Sequence, residues 1–172
     1  MRIAKNGDVL VSAPIGCPRK EVTAFIASNR SWMEKARTRK MESERKRMEF
    51  FGRLPLSTKA QRQEAIQRLD SIVRPMVDQH SRRLGVCPQS IGYKATISRW
   101  GCCTPRSGQV CFSIYLLLLP EWCIEHVVVH ELAHLVEPSH NERFHQLMDR
   151  FFPHWKEARK ETIRLSRSGS QD

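Results

Sequence analysis

His130-Glu131-Leu132-Ala133-His134 sets two imidazoles four residues apart, which is one turn apart on one face of a helix. That spacing lets both rings grip one metal ion. Glu131 is adjacent and reaches the same point at another angle, where a water on the metal would sit. This is the H-E-x-x-H pattern of zinc-dependent hydrolases, in which the glutamate serves as general base. A catalytic zinc takes three protein ligands and keeps one position open. His140, ten residues after His130, is the candidate third ligand.

The flanking residues indicate how these groups are delivered. Pro120 suits the first position of a helix, and the spacing predicts a helix over 121–136. It is apolar almost all round, so it should be buried. Buried His130, Glu131 and His134 would be left unpaired there unless something binds them, and a metal ion meets that need. Pro138 disfavours helix at Glu137 and should end it. Ser139 followed by Glu142 reads as a capping box that starts a second helix, with His140 as its first residue. Phe144, Leu147, Met148 and Phe151 recur at helical spacing and give that helix a buried face. Two short helices meeting at a turn would thus converge three histidines.

The chain has 172 residues, 40% of them hydrophobic, enough for one domain or a domain with a small appendage. The longest apolar patches, 114–119 and 127–129, fall far short of the ~20 residues of a membrane span. The N-terminus lacks the apolar core of a signal peptide, and a cytoplasmic protein is expected. Six cysteines without a C-x-x-C pair argue against a separate structural zinc, and most are expected to be reduced core residues. The net charge is +11, with basic residues dense from Lys35 to Arg53. Such a surface suits nucleic acid or an acidic partner. The plainer reading is a solvated helix with internal Glu–Arg pairing.

Along the chain, residues 1–15 read as a hairpin turning at Asn6-Gly7-Asp8. A helix follows from Glu21 to Lys35 and can continue into the charged stretch. Gly52, Pro55 and Ser57 mark a break. Residues 57–84 carry a long helical period, with Pro75 inside it as a possible kink and Gly85 as its stop. Residues 91–98 and 109–118 read as two strands of an antiparallel hairpin, joined by a loop over Trp100–Gly108. The second strand is expected beside the metal helix, where a free edge would pair with an extended peptide. Pro153 breaks the second motif helix, a last helix runs over 154–165, and the tail 166–172 is polar and expected to be disordered. His145, His126, Arg99, His154 and Tyr115 are candidates to assist an oxyanion.

The stretch from Ile97 to Leu165 resembles the YgjP-like metallopeptidase family, relatives of the WLM and SprT-like zinc proteases. The matching pieces are Arg99-Trp100-Gly101-x-Cys103, Leu117 to Pro120, Val127 through Leu135, His140, Phe144 and Pro153. The N-terminal piece from Val11 to Trp32 also looks like that family's hairpin and helix. The resemblance implies His130, His134 and His140 as ligands of one Zn2+ and Glu131 as catalytic acid/base. It implies an α+β, zincin-like fold: a short antiparallel sheet packed on the H-E-x-x-H helix, plus the N-terminal hairpin and helix. Residues 1–55 would be a basic appendage and 56–172 the catalytic domain. The expected activity is hydrolysis of protein or peptide substrates. The alternative is a DNA-associated metal-binding protein, or a DNA-linked protease, recruited by the basic N-terminal half.

Overall fold

A computed structural model describes residues 1–4 and 7–168. Asn6 of the expected turn and the tail residues 169–172 lie outside the described residues. The expected hairpin is present: β1 (Arg2–Ile3) pairs antiparallel with β2 (Val9–Leu10). Helix α1 (Arg19–Ser28) follows Pro18. A single break at Asn29 separates it from α2 (Arg30–Gly52), so the helix does run through the charged stretch. Its Glu34, Glu42, Glu44 and Glu49 each pair with a base three or four residues away, the pairing expected of a solvated helix. Only its last turn is buried, through Phe50 and Phe51.

Helix α3 (Lys59–Leu84) starts at a full capping box between Thr58 and Gln61 and stops at Gly85, whose φ of 69° suits glycine. It runs through Pro75 without interruption. Leu69, Val73 and Val77 face the core.

The sheet corrects the expected antiparallel hairpin. Three strands, β3 (Ser90–Lys94), β4 (Gly101–Thr104) and β5 (Gln109–Ser113), lie in the order β3-β5-β4. β3 and β5 are parallel, and β4, taken from the expected loop, pairs antiparallel with β5. The physical reason lies in burial. Every residue from Val110 to Ser113 is buried, as in a central strand covered on both faces rather than a half-exposed one. β5 therefore has no free edge; β4 has one. The strand also ends earlier than its apolar alternation suggests. Ser113 Oγ donates to the Thr96 carbonyl (2.6 Å) and accepts from Tyr115 N–H, which turns Ile114–Leu118 into a 3-10 helix.

Helix α4 (Glu121–Ala133) is buried on nearly every side, as its composition requires. It ends three residues before the expected Val136. One flank meets Leu69, Val73, Val110, Phe112 and Leu116; another meets Phe144 and Met148 of α5 (Glu142–Phe151). His80 of α3, 1% exposed, ties the two long helices together through Glu125 Oε1 at 2.8 Å. Helix α6 (Trp155–Ser168) begins one residue later than expected and extends beyond Leu165 through Ser168, taking in the start of the expected tail. Of the six free cysteines only Cys111 and Cys123 are buried, so fewer of them are core residues than expected. Among the described residues no helix is long and apolar enough to cross a membrane.

Candidate metal centre

The three histidines converge. One ligand atom from each of His130, His134 and His140 lies within 4.8 Å of the other two. The Nε2 atoms of His130 and His140 are 3.0 Å apart. Two zinc–nitrogen bonds of about 2.0–2.1 Å at a tetrahedral angle would separate their nitrogens by about 3.3 Å. The His130–His140 pair thus stands close to the separation that a shared small ion needs.

Local structure explains the convergence. His130 lies in the last turn of α4 and His134, its C-cap residue, keeps helical angles (φ −66°, ψ −19°), so the one-turn spacing survives. The His134 Nδ1 edge faces the Glu137 carbonyl at 3.2 Å, which leaves Nε2 for an ion. The expected Ser139–Glu142 capping box does not form. Asn141 is the cap instead: its side chain accepts from Phe144 N–H at 3.1 Å. Asn141 holds the extended backbone angles of a cap residue (φ −89°, ψ −174°). His140 therefore stands just outside the helix. Glu137 Oε1 accepts from Ser139 N–H and ties down the turn that carries His140.

Phe144, 1% exposed, lies against all three rings. It stacks on His134 (centroids 4.7 Å, 27°) and meets His130 (4.9 Å) and His140 (4.8 Å) edge-on. Burial pushes His130 down to about 3, helped by the neighbouring histidines and Arg159, and lowers His134 as well. Both imidazoles are thereby kept neutral with a lone pair to give.

Glu131 is buried beside them, and burial raises its carboxyl to about 7 against the opposing pull of Arg99. Its position depends on Gly101 in β4. A Cβ there would stand 2.6 Å from both Cγ and Oε1 of Glu131, so only glycine admits the carboxylate. Gly101 is the functional position that reading the segment as a loop missed. The close approach of a strand to a buried helix leaves no local mark beyond the glycine itself.

Two clefts open at the cluster and share Gly101, His130, Glu131 and His140. The larger, about 500 Å³, runs between α4, α5 and α6; the smaller, about 320 Å³, faces Cys102, Cys103 and Pro138. Of the five candidates for a second polar group, His126 and His145 line the larger cleft. Tyr115 packs edge-on against Phe51 (4.9 Å), and neither it nor His154 lines that cleft. Arg99 lines a separate depression behind the strand. Trp100 both lines the larger cleft and packs on Phe51 (5.7 Å), so it anchors β4 to α2.

Three imidazoles converge beside a buried carboxylate, and the three could hold a metal ion. Residues 52–164 match the family model described as YgjP-like, metallopeptidase domain. That is about two thirds of the chain, and the chain belongs to the YgjP-like metallopeptidase family. No curated protein and no solved structure matches it.

Proposed function

We propose that the chain is a zinc metallopeptidase of the H-E-x-x-H…H type, with His130, His134 and His140 as ligands of one zinc ion and Glu131 as acid/base. The observation that carries this reading is the convergence of three ligand atoms within 4.8 Å beside a buried carboxylate. A zinc ion held there supplies a Lewis acid that activates water and polarises the scissile carbonyl. Glu131, poised near neutrality by burial, takes a proton from the attacking water and returns it to the leaving amine. Glu137 and Phe144 hold His134 and His140 in place. The free edge of β4, with Gly101 against Glu131, suits an extended peptide running between the two clefts.

We read residues 56–172 as a zincin-like catalytic domain and 1–55 as an appendage whose last turn plugs into its core. Six free thiols suit a reducing, cytoplasmic setting. The test is zinc content together with cleavage of an unfolded protein, with and without single-stranded DNA. Wild type should bind one zinc and cleave. Glu131→Gln should keep the zinc and lose about 10²–10⁴-fold in turnover. His130→Ala should lose the zinc. Full activity in Glu131→Gln sinks the mechanism.

A further inference from the structure

We propose that the larger cleft binds a carboxylate of the peptide substrate between Arg159 and His126, a reading that rests on the proposed peptidase function. His126 sits on α4 one turn before His130 and is 7% exposed. Within the protein neither of its ring nitrogens, both shielded from solvent, has a hydrogen-bond partner. The ring lies between His130 (centroids 5.9 Å) and Phe152 (6.2 Å) and lines the cleft. A buried polar ring left unpaired is uncommon, and a ligand in the cleft would relieve it.

Arg159 lines the same cleft from α6. It enters no ion pair with a carboxylate among the described residues. Among the described residues lining this cleft, Arg159 is the one fixed cation and Glu131 the one carboxyl, and the histidines offer ring nitrogens rather than fixed charge. The end of the cleft at Arg159 therefore offers an anion its charged partner.

The geometry also suits the rest of such a residue. His145 stacks flat on Trp155 (5.5 Å, 5°), and this pair makes an apolar wall with Phe144 and Ile163. A guanidinium matches a carboxylate with two parallel N–H donors, and a His126 N–H adds a third. Because the cleft shares His130, Glu131 and His140 with the metal centre, a residue seated there flanks the scissile bond. The carboxylate has two sources, the C-terminus of a substrate or an acidic side chain.

The test is calorimetric titration of metal-free and zinc-loaded protein with N-acetyl-L-phenylalanine, its amide, and the α-amide of N-acetyl-L-glutamic acid. At least one carboxylate ligand should bind about tenfold more tightly than the phenylalanine amide in both forms. Tighter binding of the phenylalanine acid assigns the chain terminus; tighter binding of the glutamyl ligand assigns the side chain. Arg159→Gln, an exposed change that should leave folding intact, should erase the preference, and His126→Phe should weaken it. Equal affinity for acid and amide in metal-free protein overturns the proposal, as does a preference that Arg159→Gln leaves intact. The metal-free arm excludes carboxylates that bind zinc alone. Peptide cleavage without any carboxylate preference would sink this pocket and leave the peptidase reading standing. Carboxylate binding without cleavage would do the reverse.

Discussion

Helices α2 and α4 are both rich in ionisable groups, and they treat them in opposite ways. On α2 the charges stand in solvent and pair with neighbours one turn away; Arg30 and Glu34 are 80% and 69% exposed. On α4 two of the ionisable groups are buried: His126 and Glu131 are 7% and 6% exposed. Exposed pairs gain little because water screens them. Buried groups are held in unusual protonation states, which is what chemistry needs. The density of exposed charge along this chain therefore points away from the site, and the burial of ionisable groups on α4 points to it.

Four measurements would break or sharpen that contrast. Phe144→Ala should have the largest effect on stability, about 3–5 kcal/mol by chemical denaturation, since a buried ring is lost. It should also weaken metal binding, because all three imidazoles rest on that ring. Unchanged metal affinity would mean that the histidines hold their places without it.

Gly101→Ala comes next. The added methyl meets a buried carboxylate rather than a mobile tip, so overpacking should cost about 1–3 kcal/mol. Displacement of Glu131 should lower turnover while zinc content stays level. A fully active Gly101→Ala protein would show that Glu131 has room to move.

The pH dependence of the metal-free protein follows from the lowered histidines. His126 and His130 are held at about 4 and about 3 against an ordinary 6.5, so the folded state binds fewer protons than the unfolded state between those limits. Their contribution is present above pH 6.5 and is lost as pH falls towards 3. Glu131 acts in the opposite sense: raised from 4.5 to about 7, its contribution is lost as pH rises through that window. Two histidines outweigh one carboxyl where the windows overlap, so melting temperature should fall on acidification below pH 6.5. His126→Phe should flatten that slope, and an unchanged slope would mean that His126 is solvated in the native state.

The smallest effect belongs to α2. Glu42→Ala removes the partner of Lys46 and should change stability by no more than about 0.5 kcal/mol. Activity on peptides should not change. A loss comparable to that of Phe144→Ala would erase the distinction between the two helices.

Much of the site was legible because it is local. A spacing of four from His130 to His134 means one turn whatever the surroundings, and the all-round apolar character of α4 already demanded burial. The long helix α3 was legible for the same reason, from its apolar period and from Gly85 as its stop. The sheet was not. Whether β5 pairs with β3 or β4, and in which sense, depends on which faces are covered, and alternation along one strand says nothing of its neighbours. The cap of α5 was misplaced because Ser139 and Asn141 both offer a side-chain oxygen, and only the folded turn decides between them.

The sequence by itself determined the candidate set: three histidines whose types and spacing suit one metal ion, and a glutamate beside them. Only tertiary structure decided what surrounds that set. Phe144 against the three rings, Gly101 against Glu131, and Arg159 and His126 in one cleft join elements distant in the chain. Spacing within a helix is a property of the backbone and can be counted. Contact between α4, β4 and α6 arises from burying a shared core, which no single segment specifies.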